Sequence, residues 1–375
     1  MKSFEIDIPQ ATLDDLNERL SRARFSDPLP GQPWECGTDG AYLEELCRYW
    51  RDEFDWRAHE RALNHFDHFH TDIDGQGLHF LHARSRHENA LPLLITHGWP
   101  GSVLEFMKII EPLTDPEAHG GSADDAFHVV CPSLPGYGFS DAPRETGCHV
   151  RRVAELEAAL MAELGYTRYG AQGGDWGAVI TGWLGAVDAE HLAGIHLNML
   201  VAPPPGEGAM DGVAPEELAR VATLPAVQNT YMTVHNTNPD TLGLALNDSP
   251  AGLASWIVHK FREWTDCAGD VESAFTRDEL LANVTLYWVT ATIGSSLRIY
   301  WETNRAGLAM GGGRVEVPTG CASFPGEPYR VPRKWMEAAF NVTRFTEMPR
   351  GGHFAALQVP DLLVDDVRAF FRDVR

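Results

Sequence analysis

A chain of 375 residues, 44% of them apolar and 22% charged, can bury a large core and does not have the composition of a disordered protein. Thirty basic residues stand against 53 acidic ones, a formal net charge of −23. Such a surface repels phosphate backbones and anionic lipid headgroups, so neither nucleic-acid binding nor a polybasic membrane foot is expected. The six cysteines (Cys36, Cys47, Cys131, Cys148, Cys267 and Cys321) form no C-x-x-C pair, which reads as free thiols in a reducing compartment, without a metal or disulfide framework. The opening MKSFEIDIPQ has no signal-peptide apolar region, and no run reaches the ~18 apolar residues of a membrane span. The expectation is a soluble, cytoplasmic protein.

In chain order, residues 1–75 open with a short strand-like run and an amphipathic helix, ATLDDLNERLSRARF. A Pro/Gly/Asp-rich meander, SDPLPGQPWECGTDG, follows, and then an aromatic-rich helix from Tyr42 to Leu63. A segment so rich in turn residues cannot form its own core and is expected to wrap around something larger. HFDHFHTDI and GLHFLHAR alternate with period two about Asp74-Gly75-Gln76-Gly77 and predict a β-hairpin. Buried strands then alternate with helices: LPLLITHG, SVLEFMKIIEPL, FHVVCPS, VRRVAELEAALMAELG, TRYGAQ, AVITGWLGAV and LAGIHLNM. That alternation predicts an α/β fold, a mostly parallel sheet with helices on both faces. It stops near Ala202, gives way to helical patterns with proline breaks over 203–305, and resumes with RVEVPTG, PRKWMEAAF, NVTRFTEM and PDLLVDDVRAFF. The layout is that of a hydrolase core (76–202 and 306–375) carrying a helical cap (203–305), with 1–75 as the wrapping segment.

Gly173-Gly174-Asp175-Trp176-Gly177 lies between a predicted strand and helix and has the glycine spacing of a nucleophile elbow, with aspartate where serine is usual. The substitution decides the chemistry. A carboxylate is ionised without help and can attack an sp³ carbon bearing its own leaving group, such as an epoxide or a halide, to form an ester. Water must then cleave that ester. The expected base is His353, in the Arg350-Gly351-Gly352-His353 loop after the last strand, with Glu327 as the acid that orients it. Glu316 lies within a strand pattern and is expected to be structural. The strand before the cap ends in Leu197-Asn198-Met199 and offers no carboxylate. Backbone N–H donors for an oxyanion are expected from Trp99, in His97-Gly98-Trp99-Pro100-Gly101, and from Trp176. The Trp99 ring is read as pocket wall and His97 as a residue that shapes the loop.

These residues, together with FEIDIPQATLDDLNERL, HGWPGS, PSLPGYGFSDAP, QGGDWG, LNDSPAGLASWIVHKF, LYWVTATIGSSLRIYWE, VPTGCASFP and RGGHFAALQVPDLL, resemble the microsomal-type epoxide hydrolases over essentially the whole chain. The resemblance implies an α/β-hydrolase fold with a helical cap and an N-terminal meander. It also implies Asp175 as nucleophile, His353 as base, Glu327 as acid, and Tyr231 and Tyr300 as the cap tyrosines that grip the epoxide oxygen. From the residues alone, those two tyrosines are not distinguished from packing aromatics. Membrane-bound members carry an N-terminal anchor, and this chain starts at the meander, so it is expected to resemble the soluble members.

The implied substrate is a small-molecule epoxide, converted to a vicinal diol without metal or organic cofactor. A hydrolytic haloalkane-type dehalogenase with the same Asp nucleophile is the alternative, and a non-catalytic binding protein the third reading. Trp256, Trp264, Trp288 and Trp301 suggest an apolar pocket. Detoxification and a biosynthetic role both fit, and a homodimer is what base rates give for a soluble enzyme.

Overall fold

The computed structural model describes residues 1–27, 29–31, 33–228, 230–308 and 312–375, without the side chains of 226–228. Pro28 and Gln32 of the expected meander, and Asn229 beside Tyr231, lie outside the described residues. The described strands are β1 (Lys2–Phe4), β2 (His68–Ile73), β3 (Gln76–Ala83), β4 (Leu91–Thr96), β5 (Phe127–Pro132), β6 (Tyr169–Gly173), β7 (Leu192–Leu197), β8 (Val315–Ser323) and β9 (Phe340–Glu347). They form a single sheet in the order β1-β2-β3-β5-β4-β6-β7-β8-β9. The pairs from β1 to β3, and β3 with β5, are antiparallel, and every pair from β5 to β9 is parallel. The parallel part is the run of strand–helix alternation read from the sequence.

Alternate residues of one strand enter different cores. Leu94 packs with one helical layer, while Leu93 and Ile95 pack with the other. A strand covered on both sides reads as a continuous apolar run, as LPLLIT does. β8 holds Pro318 at a register shift against β9, where a residue without an N–H interrupts no ladder bond.

Two expected helices are broken. The stretch from Tyr42 to Leu63 is two helices, Gly40–Asp52 and Trp56–Leu63, because Asp55 accepts a hydrogen bond from Arg57 N and starts a new one. SVLEFMKIIEPL is a 3₁₀ turn, Val103–Phe106, and a short helix, Ile110–Thr114. Pro112 cannot donate to the preceding turn, so an unbroken α-helix through it is disfavoured.

Between β7 and β8 the chain is helical, and the N-terminal segment clasps this layer. Trp50 Nε1 donates to Thr285 Oγ1 at 2.9 Å, the Tyr49 hydroxyl to Asp278 at 2.9 Å, and Arg19 pairs with Asp248 at 2.8 Å. The same segment is tied back to the sheet through β1.

Candidate active site

The site starts at the end of β6. Asp175 sits between β6 and the helix Trp176–Val187 with φ +50° and ψ −132°, a strained backbone that projects the side chain from the turn. Two close approaches allow it. A Cβ on Gly177 would lie 1.9 Å from the Thr96 carbonyl oxygen, and a Cβ on Gly98 would lie 2.1 Å from Asp175 Oδ1. Only glycine at 98 lets the next amide reach the carboxylate, and Trp99 N–H donates to Asp175 Oδ1 at 2.7 Å. Trp176 follows the carboxylate by covalent succession.

The turn carrying Trp99 is held from the opposite layer. In the helix Arg277–Val289, Asn283 Nδ2 donates to Pro100 O and the Tyr287 hydroxyl to Gly101 O, each at 2.8 Å. Ser102 Oγ donates to Asn283 Oδ1 at 2.8 Å. His97 is buried and shapes this loop as expected: its Nδ1 meets Gly98 O at 3.0 Å, and its Nε2 accepts from Leu134 N at 3.2 Å.

Loops after β8 and β9 bring the other two groups together. Gly326 N donates to Gly351 O at 2.8 Å, and Gly326 bridges Gly352. His353 N donates to Trp264 O at 2.9 Å, fixing the loop to the helical layer. His353 Nδ1–H donates to Glu327 Oε2 at 2.7 Å, and Glu327 Oε1 accepts from Tyr329 N at 2.9 Å. On its far side, His353 Nε2 lies 3.3 Å from Asp175 Oδ2. Burial alone would favour a neutral ring, but the Glu327 charge and the hydrogen bonds to Asp175 and Glu327 outweigh it, holding His353 well above the usual histidine range. Glu316 is exposed and paired with Arg314, and Asn198 accepts from Gln172.

Across the pocket stand Tyr231 and Tyr300, both buried, with ring centroids 5.9 Å apart. The Tyr300 hydroxyl makes no hydrogen bond of ordinary geometry among the described residues. Burial first, then Asp175 for Tyr231, and Tyr231 and Asp175 for Tyr300, keep both phenols well above their ordinary range and therefore protonated. Asp175, His353, Glu327, Tyr231 and Tyr300 line one pocket with Trp176, Trp264, Val179, Met199, Met232 and Tyr329. Of the four tryptophans expected there, only Trp264 lines it. Trp256 donates to His235, Trp288 lies under Arg19, and Trp301 borders a separate groove. The Trp99 ring is fully buried, stacked on Tyr231 at 5.4 Å, and is not pocket wall.

Sequence reasoning missed Glu105 and Lys260. The Glu105 carboxyl fills the space beside Gly101. Burial pushes it up to about 8 while it feels the charges of His353 and Asp175. Its place three residues after Ser102 resembles a helix-capping pattern, which hides it. Lys260 lies behind Tyr231.

Among the described residues, no group of three His, Cys, Asp or Glu side chains is placed to hold a metal ion, and no single helix is long and apolar enough to cross a membrane.

The family described as epoxide hydrolase N terminus matches residues 1–106, and the alpha/beta hydrolase fold family matches residues 92–237. Epoxide hydrolase 1 of Sus scrofa is 37% identical over 400 residues, covering 99% of this chain and 88% of its own. The crystal structure of juvenile hormone epoxide hydrolase from the silkworm Bombyx mori superposes with a TM-score of 0.90 at 33% identity, over 99% of this chain and 95% of that one. The structure of Aspergillus niger epoxide hydrolase does so with a TM-score of 0.87 at 31% identity, over 100% and 96%.

Proposed function

The chain belongs to the epoxide hydrolase family, and from that premise we propose that Asp175 opens the epoxide ring as a covalent nucleophile. The observation that carries the reading is the division of labour on its carboxylate: Oδ1 accepts the Trp99 N–H and Oδ2 faces His353. Oδ2 is then the attacking atom. The Oδ2–carbon bond forms, the ring C–O bond breaks, and the electron pair goes to the epoxide oxygen, which takes a proton from the Tyr231/Tyr300 pair. Proton donors positioned in this way contribute about 10²–10⁴ in rate.

Esterification removes the Asp175 charge. One of the two carboxylates that hold His353 protonated is gone, so the imidazolium gives its Nε2 proton, through solvent, to the tyrosinate, and the ring becomes a base when a base is required. Nε2 takes a proton from water, hydroxide attacks the ester carbon, and negative charge collects on Oδ1. The Trp99 N–H already points there, with the Trp176 N–H as the expected second donor. Collapse expels the diol oxygen, which takes the His353 proton. The new carboxylic acid of Asp175 passes its proton to the neutral His353 Nε2, which restores the carboxylate and the imidazolium of the resting site. Glu327 holds the imidazole tautomer throughout.

Dehalogenation is not favoured. The buried indole N–H of Trp176, which lines the pocket, has no hydrogen-bond partner among the described residues and could face a halide, but the relatives are epoxide hydrolases. The division into a wrapping segment 1–75, a core 76–202 and 306–375, and a cap 203–305 belongs to the same proposal. So do a cytoplasmic setting, a homodimer, and a role in detoxification or biosynthesis.

One turnover of an aryl epoxide in heavy-oxygen water tests the mechanism. The label is expected in the Asp175 side chain and not in the first diol released, because Oδ2 leaves with the product. In His353→Gln, mass spectrometry is expected to find an ester on the peptide carrying Asp175. Label in the diol alone, with no adduct, overturns the reading.

A further inference from the structure

The two tyrosines are not equivalently placed. Lys260, in the helix Pro250–Glu263, has a side chain only 6% exposed. Its ammonium lies 5.0 Å from the Tyr231 ring centroid and 5.6 Å from that of Trp264. Among the described residues, no cation lies over the Tyr300 ring, which instead meets Trp176, His235, Trp99 and Tyr231 edge to face. The Lys260 ammonium pairs with Glu263 Oε2 at 2.6 Å, whose carboxylate is half exposed.

A lysine that served only that ion pair could run outward to solvent, since its stem is long enough to snorkel. Burying an ammonium instead is costly unless something in the interior uses the charge. Resting on the assignment of Tyr231 and Tyr300 as oxygen donors, we propose that Lys260 is a positioning residue that makes Tyr231 the principal acid in ring opening. A cation over an aromatic face is attracted to the ring's electrons, and the attraction grows as the phenol gives up its proton and the ring gains negative charge. The stabilisation is therefore larger in the transition state than in the ground state, as catalysis requires.

The other charged and titratable groups around Tyr231 do not supply this effect. Asp175, Glu327 and Glu263 all oppose its ionisation, and the Tyr300 hydroxyl favours it only as a neutral neighbour. His235, edge-on to Tyr231 at 5.1 Å, is pushed down to about 3 by burial and by Lys260, and so stays neutral. Its Nε2 accepts from Trp256 Nε1, which can only donate, so Nδ1 carries the hydrogen and has no partner among the described residues. His259, which directly precedes Lys260 in the same helix, lies 3.7 Å from Glu263 Oε2 through its Nδ1.

Pre-steady-state kinetics of a styrene-oxide-type substrate on the full chain separates the two half-reactions. Lys260→Met is expected to slow ester formation about tenfold, equivalent to about 1.4 kcal/mol, with ester hydrolysis unchanged and Lys260→Arg restoring most of the rate. Added to Tyr231→Phe, Lys260→Met is expected to cost nothing further, whereas added to Tyr300→Phe it keeps its full effect. Equal slowing of both half-reactions, no slowing of either, or a full effect in the Tyr231→Phe background overturns the proposal. Should the Lys260 variants not fold, the native background still decides. Tyr231→Phe is expected to slow ester formation about tenfold more than Tyr300→Phe, and equal losses overturn it. A native chain that forms no ester with any epoxide removes the underlying assignment itself, an outcome distinct from all of these.

Discussion

On the proposed division of the chain, the core half of the site and the cap half are built by different means. In the core, backbone geometry places the chemistry: a strained elbow presents Asp175, an amide after Gly98 binds Oδ1, and paired loops set Glu327 against His353. In the cap, side-chain packing places it. Tyr231 and Tyr300 are held among Trp99, Trp264, His235 and Lys260 by ring contacts and a cation, with few directional bonds. Backbone-built positions tolerate no change of residue type, whereas packed positions can be tuned in small steps.

That contrast can be broken or sharpened by experiment, beginning where the loss should be greatest. Asp175→Ala should lower diol formation by at least about 10⁴-fold while leaving the thermal midpoint near native, and diol assays with melting curves check both. Appreciable residual turnover would place the nucleophile elsewhere. Glu327→Gln should slow ester hydrolysis by about 10²-fold and spare ester formation. It also removes a charge that holds His353 up, so the acid limb of the hydrolysis rate should move to lower pH; a shift to higher pH contradicts the pairing. Tyr287→Phe deletes the bond to Gly101 O and should cost about tenfold in hydrolysis through a looser Trp99 donor, read as a fall in kcat with little change in KM.

The smallest effect concerns stability. Glu157 is buried, its carboxyl pushed up to about 8 by burial although the Thr96 hydroxyl opposes the shift. A carboxyl raised on folding contributes stability that is fully present below its ordinary 4.5 and lost as pH rises through about 8, at up to about 1.4 kcal/mol per pH unit. Glu157→Gln should therefore melt like the native chain near pH 5 and hold its midpoint better at pH 8–9. His82 and His97, pushed down to about 4 by burial, act in the opposite sense. Their stability is present above 6.5 and lost as pH falls toward 4.

The sequence carried the core half openly. Glycines at 98, 173, 174 and 177 mark an elbow and a close amide because nothing else fits, and the run LPLLIT reads as a strand covered on both faces. The cap half was opaque without the family resemblance. Nine tyrosines and eleven tryptophans have the same local signature whether they meet a substrate or each other, and three of the four tryptophans expected in the pocket lie outside it. Lys260 and Glu105 were hidden for a related reason. A lysine on a helix and a glutamate after a serine look solvent-facing until tertiary packing buries them.

The helix Arg277–Val289 reaches down and holds two consecutive carbonyls, those of Pro100 and Gly101, beside the amide that binds Asp175. On the proposed reading, the cap is thus also the clamp on the oxyanion cradle. Lifting it to admit a bulky guest would slacken the donor that hydrolysis depends on, so this architecture ties a wide-open mouth to a disarmed catalyst.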